Sequence, residues 1–169
     1  MRLRPLYRLE FDYPESWAVD VKGEGGTEEQ HLLFAEGKAT GELRGRFRGA
    51  NYARRRADRT ALTDFRGVIE TEDKAVVLFD CRGFGRRRSP EYDKLSPNGR
   101  QWLATVSHLS EDPKYVWLND TVCVGEGQVR PKPVPNQSNP TDLTLEVAAL
   151  VWEPIKTEHR LGRGASSSG

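Results

Sequence analysis

Apolar and polar residues alternate along most of this chain with a period of two. From Leu6 to Tyr13, the side chains of Tyr7, Leu9, Phe11 and Tyr13 share one face. Arg8, Glu10 and Asp12 share the other. That is the pattern of a half-buried strand, and Pro14 is expected to end it because proline cannot donate to a ladder. The polar, glycine-rich run within Val21–Gln30 reads as a loop. Leu43–Gly49 alternates Arg44, Arg46 and Arg48 with Leu43, Gly45, Phe47 and Gly49, a strand whose glycines suggest a bulge or a close backbone approach. Thr60–Glu70 and Ala75–Gly83, joined by the polar Glu72-Asp73-Lys74, predict a hairpin. Trp102–Leu109 and Asp142–Pro154 predict two more strands, and Lys114–Gly127 has the most regular alternation of all. Gly85–Arg100 reads as irregular, with a turn of helix over Glu91–Leu95, and the prolines of Pro131–Pro140 exclude a central strand.

Many short strands with turns every 8–15 residues or so predict an all-β fold. A single antiparallel β-barrel, lipocalin-like in architecture, over residues 1–156 is the expected form. The polar residues 157–169 are expected to be a disordered tail. Several strands carry charge on one face and large apolar side chains on the other. Periodicity cannot say which face lines the barrel, and a wet, polar lumen is the working expectation.

Composition narrows the function classes. With 169 residues the chain is long enough for one domain with a real core. No apolar run approaches the length of about 20 residues that a membrane helix needs, so no membrane partner is expected. Lys plus Arg total 26 against 25 for Asp plus Glu, a net charge of +1, which argues against a generic polyanion binder. Two widely separated cysteines, Cys81 and Cys123, make neither a disulfide framework nor a zinc site. They fit reduced, buried side chains in a cytoplasmic protein. No cluster of His, Cys, Asp and Glu has ligand spacing, no serine sits in a nucleophile elbow, and Gly23-x-Gly25-Gly26 lacks the strand–turn–helix setting of a dinucleotide fingerprint. Neither a metal nor a cofactor is expected.

Short motifs in a specific order carry a resemblance. Pro5-Leu6-Tyr7-Arg8-Leu9 is followed by Gly37-x-x-x-Gly41, Leu43-Arg44-Gly45 and Arg48-Gly49-Ala50-Asn51-Tyr52. Leu62-Thr63-Asp64-Phe65-Arg66 and Glu70-Thr71-Glu72-Asp73-Lys74-Ala75 occupy the middle. Tyr115-Val116-Trp117-Leu118-Asn119 and Val122-Cys123-Val124-Gly125-Glu126-Gly127 come last. Over roughly residues 5–152 the chain resembles the family called domain of unknown function 3237, also known as uncharacterised protein family 0311. The resemblance implies a compact β-barrel of bacterial and fungal proteins with no settled activity, some of them within pathways for aromatic or polyketide compounds. Where the family usually has Gly-Ala-Asp-Trp, this chain has Gly49-Ala50-Asn51-Tyr52. An amide in place of that carboxylate would alter any chemistry the carboxylate performs.

Three constellations could carry function. Asp64 and Arg66 lie at i and i+2 on one strand face, and Asp80 and Arg82 repeat the spacing across the hairpin. Inside a barrel they would be poised for acid–base work or for gripping an oxyanion. On the surface they would be a ladder contributing about 0–1 kcal/mol per pair. Tyr115, Trp117 and Asn119 could orient a flat polar ligand, with Asn51 and Tyr52 adding an amide and a phenol. His108 fits a structural histidine better than a base. The arginine runs at 54–56 and 86–88, with Arg44, Arg46 and Arg48, are either solvated loops or an anion-reading patch.

The reading that follows is a cofactor-independent enzyme moving a proton on a small aromatic or polyketide-like molecule, of isomerase, cyclase or lyase type. Its expected catalytic residues are Asp64, Arg66 and Tyr52. Substrate binding falls to Asn51, Trp117, Asn119, Tyr115, Asp80 and Arg82. A non-catalytic small-molecule binder and an arginine-rich nucleic-acid binder are the alternatives, and apolar outer faces make a homodimer a further expectation.

Overall fold

In the computed structural model, residues 2–87, 100–131 and 141–151 are described. They form nine strands: β1 (Arg2–Gly23), β2 (Gly26–Gly41), β3 (Gly45–Asn51), β4 (Arg54–Arg55), β5 (Ala61–Thr71), β6 (Val76–Arg87), β7 (Arg100–Leu109), β8 (Cys123–Pro131) and β9 (Thr141–Val151). Each strand pairs antiparallel with its neighbours in the order β1-β9-β8-β7-β6-β5-β3-β2, and β1 pairs with β2 to close the ring. The two-residue β4 bridges β2 and β5 at one rim. This is the all-β, single antiparallel barrel that the alternation predicts. Among the described residues no helix is long and apolar enough to cross a membrane. The expected irregular stretch and helical turn near 91–95, most of the proline-rich segment and the tail lie outside the described residues.

The lumen is dry, contrary to the polar interior expected from the sequence. Phe11, Phe47, Phe65 and Phe79 point inward and pack edge to face, with ring centroids 5.4–5.7 Å apart. An eight-stranded barrel is just wide enough for its own side chains, and these four rings occupy its middle. Gly49 and Gly67 face each other across β3 and β5. A Cβ on either would come within 2.9 Å of the Phe65 or Phe47 ring, so the glycines make the room the aromatics fill.

The two ends of the barrel differ. At one end a 3-10 helix (Val116–Asp120) folds beneath the strands and buries Leu118 completely. This corrects the expected strand from Lys114 onward: only Cys123 and its successors join the sheet. Asp112 caps the turn through its side chain, accepting from the Lys114 N–H at 2.8 Å, and Tyr115 and Leu118 then share a face at helical spacing. At the other end β1 and β2 run on past the barrel as a hairpin arm. Pro14 does not stop β1. It falls at a register shift between Asp12 and Glu15, where a bulge removes the need for its missing N–H. The glycine-rich run expected to be a loop is that arm, and it turns at Glu24-Gly25.

The charged stripe of Asp64, Arg66, Asp80 and Arg82 lies on the outer wall. Phe65 and Ile69 take the inward positions of β5, and alternation then forces their neighbours out. The Arg66 side chain is 66% exposed and that of Asp64 45%. Arg66 and Arg82 each reach Asp80 at 3.3 Å and Asp64 at 3.7 Å, a surface ladder and not a buried acid–base pair. Tyr115, Trp117 and Asn119 sit at the sealed end. Tyr115 donates to Asp73 at 3.2 Å, Asn119 accepts from the Ser110 N–H at 2.9 Å and donates back to its C=O at 3.0 Å, and Arg4 stacks over Trp117 at 5.1 Å. Their bonding is that of a plug.

Candidate functional site at the open mouth

At the other end the described residues line a cavity of about 430 Å³. Its floor and walls are largely apolar: Leu33, Ala61, Trp102, Val129 and Leu143, with the aromatic body of Tyr13. The Trp102 indole lies against Gly127, where a Cβ would fall 1.9 Å from two of its ring atoms. Glycine at 127 is what lets this ring form the floor. The Trp102 Nε1–H is buried without a partner.

Polar groups gather on one side, where β1, β2, β3 and β4 meet. Tyr13, where β1 leaves the barrel, and Asn51, at the end of β3, face inward, and the Asn51 Nδ2 donates to the Tyr13 hydroxyl oxygen at 3.0 Å. That bond leaves the phenolic O–H free to donate elsewhere. Burial raises the Tyr13 pKa well above the ordinary phenol value, with the Asn51 hydrogen bond acting the other way, so the group stays protonated. The Asn51 Oδ1 is buried and has no partner.

His31 and Arg55 form the lip. Glu29 and His31 are two apart on β2 and therefore project to one side. The His31 Nε2 lies 3.1 Å from a Glu29 carboxylate oxygen. Arg55, brought opposite Glu29 by the β2–β4 register, donates to the same carboxylate at 2.9 Å. A proton on Nε2 would be donated to this carboxylate, and in that tautomer the lone pair sits on Nδ1. The His31 backbone N–H is tied to the Ala53 C=O at 2.7 Å, which anchors the ring's strand to the rim.

Of the nine candidates read from the sequence, Asn51 lines this cavity. Tyr52 follows it on the opposite face, 59% exposed. The other seven lie on the outer wall or at the sealed end. Tyr13, Glu29, His31 and Trp102 also carry the site and are not among those nine, and Arg55 enters it from the arginine run at 54–56. A signal existed for two of them: Tyr13 continues the phase of Leu9 and Phe11, and Trp102 shares the face of Val106. Elsewhere, the remaining buried groups are inert. Burial pushes the Cys81 thiol up to about 12 and the Cys123 thiol up to about 11. Burial also lowers His108 to about 4, so this ring is neutral where it meets the Tyr7 hydroxyl at 2.6 Å. No group of three or more His, Cys, Asp or Glu side chains among the described residues could hold a metal ion.

The profile of the family described as a protein of unknown function, DUF3237, matches residues 1–138. The chain belongs to the DUF3237 family. Solved structures share the fold of this DUF3237 barrel. A β-barrel-like protein from Acinetobacter baumannii is 21% identical, with a TM-score of 0.67 over 88% of this chain and 94% of that one. A conserved protein of unknown function from Rhodopseudomonas palustris is 16% identical, with a TM-score of 0.69 over 89% and 97%. An enzyme from Penicillium herquei is 20% identical, with a TM-score of 0.55 over 88% and 92%. No functionally curated protein matches the DUF3237 chain.

Proposed function

We propose that the mouth cavity binds a small aromatic or polyketide-like molecule and moves a proton on it, in an isomerase-, cyclase- or lyase-type reaction. The observation that carries this reading is the Glu29–His31 pair on the lip of a largely apolar cavity, with the protonated Tyr13 hydroxyl on the same wall. A carboxylate-oriented imidazole sharing a cavity with a phenol donor is the minimal pair for general acid–base work. His31 takes a proton from an acidic C–H or O–H of the ligand onto Nδ1. The electron pair released moves to the ligand's carbonyl oxygen, where the Tyr13 O–H donates to the growing charge. The proton on His31 returns at a different atom of the ligand, which completes an isomerisation, or at a leaving group, which completes an elimination. Every group needed for this shuttle belongs to the chain. Arg55 holds Glu29, and Trp102 gives a flat ring a surface to stack on.

The similarity to a fungal enzyme supports a catalytic barrel. The outer arginines disfavour the nucleic-acid alternative. Arg48 pairs with Glu70, Arg46 with Glu36, Arg54 with Glu28 and Arg56 with Asp58, which neutralises much of the cationic surface a phosphate backbone would need.

The test is deuterium exchange next to the carbonyl of a hydroxyaryl methyl ketone such as resacetophenone, followed by NMR in D₂O. The wild-type protein is expected to accelerate exchange, and His31→Gln to lower that acceleration by roughly 10²-fold or more. Exchange unaffected by His31→Gln would refute the assignment of the base. Saturable binding of the ketone with no exchange would make the barrel a carrier.

A further inference from the structure

Among the described residues, the hairpin arm has one edge with no strand partner. Residues 2–11 of β1 lie between β9 and β2, but beyond Phe11 the described partner of β1 is β2 alone. Among the described residues, the second half of the strand therefore presents a row of N–H and C=O groups with no strand beside it. Such an edge is a template for another strand. A two-stranded hairpin by itself is marginal in water, which gives the arm a reason to be covered.

Its side chains point to the same conclusion. Trp17, Val19 and Val21 alternate along the outer face of the arm and are 53%, 64% and 57% exposed. Trp17 packs edge to face on Phe34, itself 42% exposed, at 5.8 Å. The apolar strip continues onto the barrel wall as a shallow depression lined by Pro14, Phe34, Ala50 and Val68 and bordered by Glu15, Glu36 and Arg48. An apolar centre with a border of both charge signs is the anatomy of a protein interface.

Asp20 and Lys22 select the occupant. They alternate with the apolar residues, on the other face of the same edge, and neither has an ion-pair partner among the described residues. We propose that the arm pairs with the arm of a second copy of this chain. The two β1 edges run antiparallel about a two-fold axis through Val21. In that register Val21 meets its own counterpart, and Asp20 of each copy stands opposite Lys22 of the other. Val19 lies opposite Gly23, and Trp17 covers the turn at Gly25. No like charges meet directly, and the two hairpins become one continuous sheet. A chain of net charge +1 sets up little long-range repulsion between copies. The inner face of the arm carries Glu29 and His31, so the pairing also steadies the lip of the cavity. This inference stands independently of the proposed chemistry.

The test is sedimentation equilibrium on the full chain at micromolar concentration. The wild type is expected at twice the 19.1 kDa chain mass. Asp20→Lys and Lys22→Asp each place like charges opposite one another and are expected to raise the dimer dissociation constant at least tenfold. The double variant, with the charges exchanged, is expected to recover the wild-type constant. All three changes are at exposed positions, and far-UV circular dichroism checks that the strands persist. A monomeric wild type, a dimer indifferent to the single changes, or a double variant that fails to recover would each overturn the proposal.

Discussion

Gly127→Ala links the barrel wall to the cavity in a single atom. The new Cβ would lie 1.9 Å from the Cε2 and Nε1 of Trp102, whereas carbon atoms rest about 3.5–4.0 Å apart. The indole must therefore move by about 1.6 Å or more. Trp102 is 7% exposed and walled by its neighbours, so the open direction is into the cavity it floors. Overpacking of this kind costs about 1–3 kcal/mol, which for a chain of this size corresponds to a drop in Tm of roughly 2–12 °C. The displaced ring also occupies space a ligand needs, so ketone binding should weaken along with stability. Chemical denaturation of Gly127→Ala, Trp102→Leu and the double variant forms the assay. With the indole removed, Gly127→Ala should cost less than about 0.5 kcal/mol, or stabilise slightly by restricting the unfolded chain. Equal costs in the two backgrounds would refute the claim that Gly127 exists to seat Trp102.

Two further predictions concern groups outside the cavity. Asp64→Asn should change stability by less than about 1 kcal/mol, because its partners are exposed guanidinium groups, and should leave proton exchange on the ketone intact. Loss of exchange with the fold preserved would return this carboxylate to the chemistry. His108 has a folded pKa near 4 against about 6.5 when unfolded, the shift coming from burial. The unfolded chain therefore binds the proton more readily. The stability contributed by the neutral ring is complete above pH 6.5 and is lost as pH falls toward 4. His108→Gln should flatten urea-denaturation stability across that window, and an unchanged pH profile would contradict the burial argument.

Much of the barrel is legible from alternation alone. Phe65 and Ile69, then Val77, Phe79 and Cys81, mark the β5–β6 hairpin without ambiguity. What alternation lacks is a label for inside. Asp64 and Arg66 looked equally suited to a wet lumen until the four phenylalanine rings claimed the same volume. A closed ring of eight strands cannot hold both. The segment after Lys114 failed for a different reason. A short apolar run such as Val116-Trp117-Leu118 fits a strand and a helical turn equally well, and here it continues the hydrogen-bonded turn that begins at Asp112. The lip of the cavity was the least visible part. Glu29 sits in the glycine- and glutamate-rich run that reads as loop, His31 just after it, and only the β2–β4 register sets Arg55 against Glu29. Asn51 is legible through its amide, which stands where the family usually has a carboxylate.

The phenylalanine packing and the Leu118 stopper make the barrel a cup and not a tunnel. Among the described residues, the way in at the rim is also the way out. Product and incoming substrate would then contend for a single doorway, so a reaction housed here should slow as product accumulates, in direct competition with substrate. Enlarging the vessel from below would require dismantling its aromatic centre, which leaves the rim residues as the ground on which relatives of this barrel can diverge in what they accept.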